Sequence, residues 1–157
     1  MVMFQTEREI WAWLAGIIDC DGGFYIERSK APWKRGKTYR PILQIANTNK
    51  AFLEKIKEIL GFGMIRELKN AKSRNNKWKK EYELRIFANG IRRIVPNILP
   101  FLLIKREQAL LIVEAVKITE IIRRTPPSKR DIQELEPYYE RLEQLYVKMR
   151  ELNKKGV

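Results

Sequence analysis

The sequence predicts an α+β fold: an α-ββ-α-ββ-α core with antiparallel sheet and additional C-terminal helices. Three observations predict it. Two stretches alternate apolar and polar residues with a period of two, each broken in the middle by a basic, turn-rich segment. Runs with apolar residues three and four apart lie before, between and after them, several opened by capping residues. The chain of 157 residues fits one domain with a real core, and no low-complexity tract or linker divides residues 1–157.

Each element has its own signal. Thr6-Glu7-Arg8-Glu9 is a capping box, opening a helix that carries Ile10, Trp11, Trp13, Leu14, Ile17 and Ile18. Gly22-Gly23 supplies its stop. FYIERSK and TYRPILQIANT, joined through PWKRGK, read as a long hairpin between Gly23 and Asn49. Phe52 to Leu60 is an amphipathic helix closed by Gly61, and MIRELKN with YELRIFAN makes a second hairpin. Ile91 to Leu99 is a short helical piece, and Pro100 is expected to start the next helix, which runs to Arg124. After Pro126-Pro127 comes a helical section over about residues 128–153, capped by Ser128. Its apolar positions are 132, 135, 139, 142, 146 and 149, and Pro137 is expected to break it in two.

Composition narrows the function. The net charge of +13 and pI near 10 point to a polyanionic partner, most economically nucleic acid. The absence of His excludes zinc fingers of the His type, serine-type triads and nucleases with a histidine base. No segment approaches the roughly 18 uninterrupted apolar residues of a membrane span, so no membrane partner is expected. The first residues lack the basic-then-apolar layout of a leader, and one Cys suits a reducing compartment. The charge is also concentrated. Residues 28–40 hold six cations and no acid, and residues 66–85 hold eight cations against three Glu. Strand pairs bearing basic and polar residues are one element type that enters a major groove.

LAGIIDCDGG raises a different question. Asp19 and Asp21 are two of the three aspartates in the chain, and they stand at a helix C-terminus, where the dipole disfavours a carboxylate. Two explanations fit. The pair is a structural cap or ion-paired helix end, or it holds a divalent cation such as Mg²⁺, which takes oxygen ligands and completes its shell with substrate phosphates. With the basic hairpins, the second explanation describes metal-assisted phosphodiester hydrolysis.

LAGIIDCDG resembles the LAGLIDADG motif of the homing endonucleases, differing at Ile17 and Cys20. The surrounding elements agree with that family over most of the chain. The resemblance implies a saddle-shaped sheet in the major groove of double-stranded DNA and site-specific, Mg²⁺-dependent (or Mn²⁺-dependent) cleavage. It implies that Asp21 is the metal carboxylate, that the backbone carbonyl of Cys20 is a second ligand, and that Asp19 is a weaker metal candidate that orients the helix end. LQIANTNK implies Asn47 as a water-organising residue, with Lys50 the nearest basic residue after it, and LPFLLIKREQA places a catalytic-pocket lysine at Lys105. Asn47 also reads as a turn residue, and Lys50 and Lys105 as surface cations at helix starts. Ala12, Ala15 and Gly16 match the family's close-packed helix pair. One motif supplies one set of ligands for two strands, which predicts a C₂ homodimer on a near-palindromic site. The resemblance also implies an intracellular setting, an archaeal cytoplasm or an organelle. Two alternatives stay open: an RNA-splicing maturase that takes host intron RNA as partner, and a DNA-binding protein that has lost cleavage.

Alternation from Gln44 puts Ile42, Arg40 and Thr38 on one face, with Tyr25, Glu27 and Ser29 on the partner strand. Arg40 and Gln44 are the candidates for base readout, since Arg suits guanine and Gln suits adenine. Lys34, Arg35 and Lys37 at the turn are expected on phosphates. On the second hairpin the DNA-binding candidates are Arg66, Lys69, Lys72, Arg74, Lys77, Lys79 and Arg85.

Overall fold

The Thr6 hydroxyl accepts the Glu9 amide at 3.3 Å and opens helix α1, Glu7–Asp21. The Glu9 carboxylate reaches one residue further back than in an ideal box, accepting the Gln5 amide at 2.9 Å. The structure, a computed structural model, describes residues 4–30, 37–69, 79–130 and 133–154. After α1 come strands β1 (Gly22–Ser29) and β2 (Thr38–Asn47), helix α2 (Lys50–Leu60), and strands β3 (Met64–Leu68) and β4 (Glu81–Ile86). Helices α3 (Ala88–Ile98), α4 (Arg106–Arg124) and α5 (Glu136–Lys154) follow. The order is the one the sequence predicts.

All four strands join one antiparallel sheet in the order β1-β2-β4-β3. One face carries Phe24, Ile26, Leu43, Ile45, Leu84 and Ile86 into a core shared with all five described α-helices. α1 and α4 pack on β1 and β2, α2 and α3 on β2 and β4, and α5 on α4 and β1. Among the described residues no helix covers the other face of the sheet. Such a two-layer arrangement buries one sheet face and leaves the second for a ligand. No helix among the described residues is long and apolar enough to cross a membrane.

Three expectations change. Pro100 lies in a 3-10 turn, Leu99–Phe101, and α4 begins only at Arg106 because the intervening amides are bonded elsewhere, as described below. Pro137 does not break a helix. It sits in the first turn of α5, where no backbone N–H is needed, and 3-10 turns Pro127–Lys129 and Gln133–Leu135 precede it. Gly22 ends α1 in an extended conformation with φ of −97°, so a left-handed stop is not its purpose. A Cβ there would lie 2.8 Å from the Ile18 Cα, and only glycine lets β1 leave the helix so directly.

α5 is clamped to the first hairpin by Glu143. Its carboxylate accepts the Tyr39 hydroxyl and, at 2.5 Å, Arg28 Nη1, while Lys37 Nζ stands 4.0 Å away. Further along α5, Asn153 Nδ2 donates to the Phe24 carbonyl at 3.0 Å. The Tyr39 hydrogen bond, with the Arg28 charge, holds the Glu143 carboxyl below its ordinary value of 4.5 despite partial burial. A carboxyl depressed on folding stabilises above its unfolded value, and that stabilisation is lost as pH falls through the folded value. Glu143→Gln should therefore flatten the acid limb of the stability–pH curve below about pH 4.5, read by urea unfolding at a series of pH values.

Candidate active site and nucleic-acid interface

Asp19 is buried at the end of α1. Its carboxylate accepts three backbone amides in a row: Leu103 at 2.8 Å, Ile104 at 3.2 Å and Lys105 at 3.0 Å. Those amides lie just before α4 and carry the partial positive charge of a helix start. The Lys105 side chain returns the contact, its ammonium donating to the carbonyls of Ile18, at 3.1 Å, and Gly22. Each helix end thus supplies the charge that the other lacks. Burial pushes the Lys105 ammonium below its ordinary value, and Asp19, Cys20 and Asp21 partly offset that. Both Asp19 oxygens are engaged by amides, and the residue braces the helix end.

Asp21, the last residue of α1, is exposed, and so is Cys20. Among the described residues Asp21 forms no hydrogen bond or ion pair. No group of three or more His, Cys, Asp or Glu suited to a metal ion occurs among those residues. The donor set is therefore one open carboxylate with helix-end carbonyl oxygen. It fits a hard cation that draws its remaining ligands from water and phosphate, as Mg²⁺ does, and not a closed protein cage.

Asn47 and Lys50 form a neighbouring group. Asn47 ends β2 two residues past the Gly22–Ile45 pair, opposite Tyr82. Its Oδ1 accepts the Asn49 amide at 2.8 Å, and Asn49 in turn caps α2 by accepting the Phe52 amide at 3.1 Å. Lys50 Nζ lies 5.7 Å from the Tyr82 ring centroid and 3.8 Å from Glu54. No hydrogen bond or ion pair among the described residues joins this group to Asp21. Two surface clefts, of about 600 and 650 Å³, contain neither Asp21 nor Lys105.

The uncovered side of the sheet carries a second set of candidate residues. Pairing sets Gly23 against Gln44, Tyr25 against Ile42, Glu27 against Arg40 and Ser29 against Thr38, as alternation predicts. Gln44 and Arg66 carry the face across to Arg85 and Glu83 on β4. Tyr25 and Arg40 are exposed, and the hydroxyls of Ser29 and Thr38 meet at 2.7 Å near the hairpin tip. Lys37, Lys69 and Lys79 are exposed beside it.

Several assignments are corrected. Ile42 lies on the open face but is fully buried under its neighbours there, so it reaches no groove. Arg85 is equally inaccessible, with 4% of its side chain exposed, because it donates to Glu27 beneath the surface. Ala15 is fully buried in the chain's own core, so only Ala12 and Gly16 remain on the bare outer stripe of α1. Lys34, Arg35, Lys72, Arg74 and Lys77 lie outside the described residues. Sequence reasoning missed Glu83, buried on the open face and bonded to Arg66. The alternation of charge at Glu81, Glu83 and Arg85 was its signal.

The Asp19 brace yields a prediction. Hydrogen bonds to a charged group contribute about 1.5–3 kcal/mol each, and three are lost together. Asp19→Ala should lower unfolding stability by at least about 2 kcal/mol and speed amide exchange at Leu103 to Lys105. Unchanged exchange there would remove the brace.

Comparison with known proteins adds the family. Residues 14–108, more than half of the chain, match the family model described as LAGLIDADG endonuclease. Among solved structures, I-CvuI in complex with the I-CreI target aligns with TM-score 0.61 and 23% identity over 92% of each chain. The archaeal intron-encoded homing endonuclease I-Vdi141I, complexed with DNA, aligns with TM-score 0.60 and 18% identity over 94% of this chain and 99% of its own. I-SmaMI bound to cleaved DNA gives TM-score 0.64 and 19% identity over 87% of this chain but only 42% of its own. No curated protein sequence matches. At such identities the structures speak for the fold, and the family model speaks for descent. The chain belongs to the LAGLIDADG endonuclease family.

Proposed function

We propose that the chain is a divalent-metal-dependent endonuclease that cuts double-stranded DNA at a long, near-palindromic site as a homodimer. The observation that carries this reading is the exposed Asp21 at the end of α1, two residues past the Asp19 that joins Lys105 in the cross-brace. A bound Mg²⁺ (or Mn²⁺) would polarise the scissile phosphate and acidify a water molecule. Asp21 and the Cys20 carbonyl are the groups to hold it. Water then adds to phosphorus, and one P–O bond to the sugar breaks. The Lys105 ammonium, with one N–H beyond its two carbonyl bonds, stands where it can offset the charge that develops. Asn47 is suited to orient water, and Lys50 to contact a phosphate. Arg40 and Gln44 face base edges, while Lys37, Lys69 and Lys79 flank them for the backbone.

The dimer follows from a glycine that the single chain does not need. A Cβ on Gly16 meets nothing within 4 Å, yet glycine inside a helix costs about 1 kcal/mol relative to alanine. Close approach by a second α1 across a two-fold axis supplies the reason, with Ala12 on the same stripe. I-SmaMI, of which this chain spans 42%, has room for two such units in one polypeptide. An intracellular setting, archaeal or organellar, fits the archaeal I-Vdi141I.

The reading is tested with DNA spanning the uninterrupted insertion site of the host gene, with and without Mg²⁺. A double-strand break that needs both is expected, and intact DNA at every Mg²⁺ concentration would overturn it. Asp21→Asn should abolish the break while leaving DNA affinity nearly unchanged, checked by gel cleavage beside anisotropy binding. Gly16→Leu should leave the fold of each chain intact and move the protein from dimer to monomer, read by sedimentation; overpacking of roughly 1–3 kcal/mol enters twice by symmetry.

A further inference from the structure

Five charged residues on the open face form one chain of contacts. Glu27 accepts Arg40 at 2.7 and 3.2 Å through one carboxylate oxygen and Arg85 through the other. Glu83 accepts Arg66, and its Oε1 lies 3.6 Å from Arg85 Nε. The two outer arginines are exposed, Arg40 by 57% and Arg66 by 47%, whereas the side chains of Arg85 and Glu83 are 4% and 3% exposed. Phe87 packs under both Arg40 and Arg85, at 5.1 and 5.6 Å from its ring centroid. Arg85 Nε is a buried donor without an acceptor among the described residues.

We propose that Arg85 is a positioning residue that couples Arg40 and Arg66, so that the face reads the two DNA positions beneath them as one unit. This rests on the DNA-contacting role of the open face. The physical ground is the placement of charge. An exposed arginine held by a carboxylate keeps its fork in one orientation, and both carboxylates here lean on the same buried guanidinium. When Arg40 turns to a base it loosens its bond to Glu27, which then draws closer to Arg85. Arg85 shifts away from Glu83, and Arg66 is left more tightly held. Groups that share a partner in this way are energetically non-additive. The acceptor-free Nε marks Arg85 as under-committed in the free protein, with a hydrogen bond to gain from a small shift toward either carboxylate.

The probe is a duplex library randomised over two helical turns, selected by the wild-type protein in EDTA so that nothing is cut. The preferred duplex and its single and paired base substitutions are then measured by fluorescence anisotropy, with Arg40→Ala and Arg66→Ala identifying the positions each side chain reads. In the wild type, paired substitutions at those positions should depart from the product of the singles by at least about threefold. In Arg85→Met the departure should vanish. Arg85→Lys, which keeps the charge and loses the fork, should behave the same way and serves where the Met variant does not fold. Multiplicative losses in the wild type, or a departure that survives both substitutions, would overturn the coupling. A second readout needs no DNA. The Arg40 hydrogen bond and the Arg85 charge hold the Glu27 carboxyl below its ordinary value, against partial burial. Its carbon-13 titration should rise in Arg85→Met, and an unmoved titration would show that Arg85 does not hold Glu27. Failure to enrich any duplex, with the Glu27 titration moving as expected, would instead count against DNA readout itself.

Discussion

The cross-brace between α1 and α4 is the contact on which the rest of the site depends. A carboxylate at a helix C-terminus is disfavoured by its own helix, so Asp19 is stable there only because it faces the amides of another helix start. Lys105 completes the exchange by meeting the carbonyls that α1 leaves unsatisfied. The result ties the helix end to Gly22, where the first strand begins. It also leaves Asp21 exposed, close enough for its charge to act on the partly desolvated Lys105 ammonium. A lone carboxylate beside a cation on a water-accessible rim suits a site whose remaining ligands arrive with the substrate.

The same economy governs the open face. A protein with a net charge of +13 would attract any polyanion, and attraction by itself carries no sequence information. What distinguishes this face is that its cations do not hang free. Glu27 and Glu83 hold Arg40 and Arg66 in fixed orientations before any partner arrives, which lowers the entropy lost on binding. The acids thus remove some long-range attraction and leave Arg40 and Arg66 with fixed directions in exchange. The exposed lysines at the rim, such as Lys69 and Lys79, keep the non-directional role.

The outer stripe of α1 is the surface on which the proposed homodimer rests. Trp13, Leu14, Ala15 and Ile18 turn into the core, with Trp13 edge-on to Phe52 at 6.2 Å. The opposite stripe, Ala12 and Gly16, offers bare backbone to the outside. Two such stripes related by symmetry would bring two Asp21 residues to the same axis. Strand cleavage on both sides of a duplex needs that proximity.

Much of the fold was legible in the sequence because it rests on short-range physics. Alternation in FYIE and ILQI set the two sheet faces, the Thr6 and Asn49 caps set helix starts, and the DCDG cluster singled out the site. Other features depended on which segments meet in space. Pro137 looked like a helix breaker, yet at the start of a helix its missing N–H costs nothing. The start of α4 moved from Pro100 to Arg106 because Asp19, 84 residues before Leu103, took the amides. Ile42 and Arg85 fell on the predicted face but under its surface, a depth that alternation does not encode. Sequence by itself determined periodicity, caps, charge and the identity of the acidic helix end, since each is written within a few neighbouring residues. Tertiary structure alone decided which amides Asp19 braces and how deep Ile42 and Arg85 lie, because burial and hydrogen bonding are set by groups far apart in the chain.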